Sequence, residues 1–227
     1  MVDAVATSAR PLRRDAEVNR QRLLDAASEL FAEHGLGVTL NDIAHHAGVG
    51  VGTAYRRFPN KEAVIDALFE QRMEAVEAAA CEALEEPDAW HALAGYLQRT
   101  LRMQFGDRGL DQILNDPALG DTRINDVRVR IAPLVAALVD RAKEQGAVRR
   151  DFEPTDVIFI QAALSAVMES TRDLAPNLYE RYLTMLLDGI RGDRQDLTPL
   201  PAPALTSEIT HMAMTRKRRR GSAGGRL

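Results

Sequence analysis

The stretch Thr39-Leu-Asn-Asp-Ile-Ala-His-His-Ala-Gly-Val-Gly-Val-Gly-Thr-Ala-Tyr-Arg-Arg-Phe-Pro-Asn-Lys-Glu62 decides how the chain is read. Its opening, Thr39-Leu40-Asn41-Asp42, has the form Thr-x-x-Asp, in which the hydroxyl caps a free backbone N–H at a helix start. The helix it opens is short, with Ile43, Ala44 and Ala47 facing inward and Gly48 ending it. After Val49, Gly50 serves as the next N-cap, and a second short helix runs from about Val51 to Arg57. Pro59 closes the segment, because the residue before a proline is biased away from helix. Asn60 then caps a long helix carrying Val64, Ile65, Leu68, Phe69 and Met73.

Upstream, Leu23, Leu24, Ala27, Leu30 and Phe31 form an apolar stripe at helical spacing, stopped at Gly35. Two short helices joined by the Gly48-Val49-Gly50 turn and preceded by a packing helix make a helix-turn-helix. A helix fits the DNA major groove only if another helix and a small core hold it at a fixed angle. Val49 and Phe58 are the expected pegs. The second helix then offers Val51, Gly52, Thr53, Tyr55, Arg56 and Arg57. Gly52 lets the backbone approach closely, Thr53 and Tyr55 supply hydroxyls for phosphate, and Arg57 reaches phosphate or a guanine edge. Lys61 adds charge at the start of the next helix.

The charge distribution agrees. The net charge of −4 hides an asymmetry: residues 1–61 carry 8 Lys/Arg against 7 Asp/Glu, residues 62–192 carry 14 against 23, and residues 193–227 carry 7 against 3. An acidic middle is repelled by DNA, so contact falls to the stretch from Gly50 to Lys61, which has three basic residues and no acid. The rest reads as all-α. Helices are expected from about Asp88 to Phe105, Leu110 to Asn115, Thr122 to Gln145, Thr155 to Arg172 and Leu178 to Arg191, with Pro133 kinking or breaking the third of these. The domains expected are a mobile arm (1–14), a helix-turn-helix domain (15–61), a larger helical domain (62–192) and a largely disordered basic tail (193–227) ending in Arg216-Lys-Arg-Arg-Arg220.

The quoted stretch resembles, along its whole length, the DNA-binding signature of the TetR family of bacterial transcriptional regulators. Ala26 to Gly35 is similar to that family's first helix. The resemblance implies that Thr39, Thr53, Tyr55 and Lys61 hold phosphates, and that Asn41, Val51 and Arg57 read bases. One residue departs: Gly50 stands where many members have a Ser that caps the recognition helix. The resemblance also implies an all-helical effector-binding and dimerisation domain whose last two long helices build a four-helix bundle with a second copy. The apolar helix around Val157 to Met168 and the stripe Leu183, Leu186, Leu187, Ile190 suit that role. The implied function is a homodimeric repressor on a pseudo-palindromic double-stranded DNA operator, released by a small-molecule effector. An activator, or a regulator answering to a protein partner, is the alternative.

Met73, Trp90, Tyr96, Met103, Phe105 and Phe159 are candidates to line an effector pocket, although such residues at helical spacing equally make plain core. No nucleophile–base–orienter arrangement points to an enzyme, and no motif calls for a metal or cofactor. The Gly48-Val-Gly-Val-Gly52 run lacks the preceding strand of a nucleotide loop. His45 and His46 are adjacent and point to different faces. Cys81, the single cysteine, is expected buried or half-buried in a helix. No signal peptide or membrane-length apolar run is read, which places the protein in the cytoplasm, at the nucleoid when bound to DNA.

Overall fold

The computed structural model describes residues 9–105, 129–193 and 196–214. Eight α-helices form the body of the described chain, beside a 3-10 turn at Gly35–Gly37 and a further helical stretch at 207–214: α1 (Ala9–His34), α2 (Leu40–His46), α3 (Val51–Arg57), α4 (Lys61–Glu85), α5 (Ala89–Phe105), α6 (Ala132–Glu144), α7 (Pro154–Thr171) and α8 (Leu178–Ile190). Among the described residues there is no β-strand, only an isolated bridge between Val148 and Arg191. The helix expected around Leu110 to Asn115 and the start of the one expected from Thr122 lie outside the described residues.

Contacts divide the chain into two units after Arg72. The expected boundary at Lys61 falls short, because Val64, Ile65, Leu68 and Phe69 on the first half of α4 are buried with the first unit. In that unit the α1 stripe is fully used: Leu23, Leu24, Ala27 and Phe31 have no exposed surface and Leu30 keeps 8%. Burial of each of the leucines and of Phe31 stabilises by about 1.5–3 kcal/mol. α1 starts at Ala9, so residues 9–14, expected to be a mobile arm, are helical, with Pro11 in the first turn where its missing N–H costs nothing.

Two hydrogen bonds build the turn between α2 and α3. The Val49 amide donates to the Ala44 carbonyl (3.0 Å) and the Gly48 amide to the His45 carbonyl (3.2 Å). This pattern is a Schellman motif, and it requires Gly48 in the left-handed region, where its φ is 63°. Val49 and Phe58 are buried at the two ends of α3, as pegs must be.

The second unit packs α5 on α6 and α7, and α7 on α8. Asp88 caps α5 by accepting from the His91 amide (2.9 Å). Arg141 of α6 donates to the carbonyls of Leu84 (2.6 Å) and Ala83 (3.0 Å), satisfying free acceptors at the end of α4. Val129 and Arg130 are helical, Ile131 forms a turn, and α6 restarts with Pro133 in its first turn, which is the expected break. A capping box of Glu153 and Asp156 with Pro154 at the first position starts α7.

Two expectations need correction. Cys81 is exposed, on the outer side of α4. Residues 196–214 are not disordered: Arg149 donates to the Thr198 carbonyl (2.7 Å), Thr155 to the Leu205 carbonyl (2.9 Å), and residues 207–214 are helical. Composition alone misses anchors that come from so far away in the chain. Replacing Gly48 by alanine puts a Cβ on a left-handed residue and is expected to cost about 1–2 kcal/mol. Urea denaturation of Gly48→Ala, with loss of less than half a kcal/mol as the contrary result, checks this.

Candidate nucleic-acid interface

α3 buries Ala54 and leaves Gly52, Tyr55, Arg56 and Arg57 exposed, with Val51 and Thr53 half-buried. Tyr55 is 47% exposed, so its hydroxyl is open to a partner outside the chain. Asn41 is exposed on α2. The expected contact residues of α2 and α3 are thus at least partly open to solvent.

A cleft of about 280 Å³ opens beside this face, and Thr39, Tyr55, Asn60 and Lys61 line it. Three of the four residues expected to hold phosphates thus meet in one place. Asn60 caps α4 by accepting from the Ala63 amide (2.9 Å), so the positive end of a long helix also opens here. Two hydroxyls, an ammonium and a helix N-terminus make a seat suited to an anion.

Thr39 and Lys61 already have partners within the chain. The Thr39 amide and hydroxyl both donate to Asp42 Oδ2, at 2.8 and 2.7 Å, and the Asp42 amide donates back to Thr39 Oγ1 at 3.3 Å. The Thr39 hydroxyl, first, and its amide, second, hold the Asp42 carboxyl below the ordinary aspartate value. Stability from this cap is therefore full above the ordinary aspartate range and fades as pH falls through the lowered value. Lys61 Nζ donates to the Leu36 carbonyl (2.6 Å). Arg56 donates to the Thr53 hydroxyl (3.0 Å). Arg57 leans back to Glu17 of α1 at 3.5 Å instead of standing free toward a groove.

Glu17 and the Leu36 carbonyl are the partners that sequence reasoning missed, since nothing local marks a contact with a residue so distant in the chain. His46 pairs with Glu29 of α1 at 2.7 Å, which ties α2 to α1. Gly50 makes no side-chain cap, as an absent hydroxyl requires. A Cβ placed there meets only Thr53 Oγ1, at 3.9 Å.

The candidate effector residues scatter through the second unit. Tyr96 is buried on α5, and burial pushes its hydroxyl up to about 12. Met73 is buried and Met103 half-buried. Trp90 is half-buried, with the Arg191 guanidinium 4.6 Å from its ring centre. Phe159 is 36% exposed on α7. The side chain of Phe105 lies outside what the structure describes.

Comparison with known proteins settles the lineage. Residues 23–68 match the family described as "Bacterial regulatory proteins, tetR family", and residues 88–192 match "Transcriptional regulator SbtR-like, C-terminal domain". A TetR transcriptional regulator of Streptomyces coelicolor is 31% identical over 77% of this chain and 99% of its own, with a TM-score of 0.60. The chain belongs to the TetR family.

A TetR regulatory protein of Mycobacterium vanbaalenii is likewise 31% identical, over 80% of this chain and 99% of its own, with a TM-score of 0.56. An HTH-type transcriptional regulator of Staphylococcus aureus is 45% identical over 51 residues, which is 22% of this chain and 28% of that protein. The α2–α3 pair is thus the helix-turn-helix of a TetR-family regulator. Among the described residues no helix is long and apolar enough to cross a membrane.

In this TetR-family chain the open space at Gly50 generates a test. Gly50→Ser restores a capping hydroxyl and is expected to stabilise by roughly 0.5 kcal/mol. A lowered midpoint in thermal unfolding of the variant would show that the space is needed for something else.

Proposed function

We propose that this protein is a dimeric, sequence-specific DNA-binding regulator of the cytoplasm, a repressor that leaves a pseudo-palindromic operator when a small molecule binds its second unit. The observation that carries the reading is the meeting of Thr39, Tyr55, Asn60 and Lys61 around one cleft at the edge of the recognition helix. A backbone phosphate seated there takes the Tyr55 hydroxyl and the Lys61 ammonium, and fixes α3 in register over the major groove. Thr53 and Arg56 then serve a neighbouring phosphate, while Asn41, Val51 and Arg57 face base edges. A Cβ placed on Gly52 meets no atom within 4 Å, so nothing inside the chain requires a glycine there. Close approach of DNA backbone is the role proposed for it.

Family members bind DNA and dimerise, and the second unit has a surface suited to a second copy. Ile158 and Phe159 on α7, and Tyr182, Met185 and Leu186 on α8, are each more than a third exposed. Two recognition helices about 34 Å apart then match one turn of duplex. A small polar centre among apolar helices suits an effector: Gln161 donates to the Thr100 hydroxyl (3.0 Å), which donates to the Tyr96 carbonyl (2.9 Å). Met73, Trp90, Met103, Phe105 and Phe159 are, with Tyr96, the residues proposed from the sequence for effector contact, and the buried Tyr96 and Met73 suit that role better than the exposed Phe159. An effector lowers operator affinity only by binding the non-operator conformation more tightly.

Two variants separate the roles. Lys61→Ala is expected to weaken binding to operator and random DNA alike and to reduce the salt slope by about 1. Gly52→Ala is expected to raise unfolding stability by about 0.5–1 kcal/mol while weakening operator binding. A Gly52→Ala protein that binds operator as tightly as the parent would contradict the proposed docking. Operator affinity that stays constant with every ligand the second unit binds would remove the effector-release half.

A further inference from the structure

The basic stretch from Gly50 to Lys61 has no acid of its own, yet its three cations are not held alike. Arg56 leans on the Thr53 hydroxyl and Lys61 on the Leu36 carbonyl, both uncharged acceptors. Letting go of either leaves no charge behind. Arg57 instead faces the Glu17 carboxylate of α1, at 3.5 Å. When Arg57 leaves for DNA, a bare carboxylate stays near the phosphates, and like charges repel. Glu17 is also oriented from its own helix. Its other oxygen lies 3.8 Å from Arg20, one turn along α1. The Arg20 guanidinium in turn stands 5.9 Å from the centre of the Phe58 ring, the peg that follows Arg57. Glu17 thus sits between two arginines at the end of the recognition helix.

We propose that Glu17 is a specificity-determining residue, which withholds Arg57 from phosphates on unmatched DNA and yields it only to a base edge. The proposal rests on the reading above in which Arg57 faces bases. On random duplex, Arg57 would exchange a carboxylate oxygen for a phosphate oxygen and uncover Glu17. That exchange gains nothing, so the pair stays closed. A guanine offers O6 and N7 to the guanidinium fork at once. Such a bidentate contact outweighs an ion pair whose side chains are 35% and 67% exposed. Arg56 and Lys61 carry no such restraint. General affinity for duplex is therefore kept, while the base contact is made conditional on sequence.

The test compares the full-length parent with Glu17→Gln and Asp15→Asn over a salt series, on a duplex selected from genomic DNA and on random duplex of equal length. Asp15 is an exposed acid of the same helix, so its replacement removes the same charge while leaving the Glu17–Arg57 pair in place. Relative to Asp15→Asn, Glu17→Gln is expected to steepen the salt slope on random duplex by about 1, the mark of one added phosphate contact. The ratio of selected to random affinity is expected to fall about two- to fivefold, the range that an exposed ion pair spans. Adding Arg57→Ala to Glu17→Gln is expected to remove the extra slope. A slope or a ratio equal to that of Asp15→Asn, or an extra slope that survives Arg57→Ala, would overturn the role of Glu17 and leave the docking intact. A parent chain that binds the selected duplex no better than the random one would overturn sequence reading itself, and this role with it.

Discussion

A helix of seven residues has no stability of its own in water, where isolated helices need roughly 12–15 residues even to be marginal. α3 is such a helix, and it buries only Ala54. Everything that makes it a usable reading head comes from outside it. Val49 and Phe58 pin its two ends into the core, and the left-handed Gly48 turns the chain so that both can be buried. α1, whose Phe31, Leu23 and Leu24 are fully buried, packs against both α2 and α3. The angle of α3 is therefore set by side chains that would never touch DNA.

The outer face has the opposite character. Its polar groups are paired before any partner arrives: Thr39 with Asp42, Thr53 with Arg56, Arg57 with Glu17, Lys61 with the Leu36 carbonyl. Such surface pairs each contribute little, about 0–1 kcal/mol. They restrict the side chains before any partner arrives and are weak enough to be exchanged for phosphate. Glu17 matters most here, since under the proposed docking Arg57 exchanges a carboxylate for DNA. The pairing converts a flexible basic patch into one with a preferred starting geometry.

Most of the first unit was legible because its signals are local. Thr39-x-x-Asp42, Gly48 and Asn60 each act within a few residues of themselves, and each forms the cap or turn that its type demands. The apolar spacing of α1 and the break at Pro133 are equally local. What escaped reading depends on contacts between distant residues. Nothing near Arg57 announces Glu17, and nothing in a proline-rich segment announces Arg149 and Thr155 as its anchors. The surroundings of the candidate effector residues are likewise set by distant contacts. Trp90 and Phe159 look like pocket lining by type, yet one lies under Arg191 and the other on the outer side of α7. The extension of the first unit to Arg72 also followed from packing along α4, which a cap at Asn60 cannot reveal.

The central claim is that a prepositioned α2–α3 pair, presented twice, reads one DNA sequence. Selection of bound fragments from genomic DNA, followed by footprinting of the recovered site, tests it most directly. The account predicts enrichment of an inverted repeat, with two protected half-sites centred about one helical turn apart. Recovery of fragments that share no sequence, or protection of a single unpaired half-site, would contradict it.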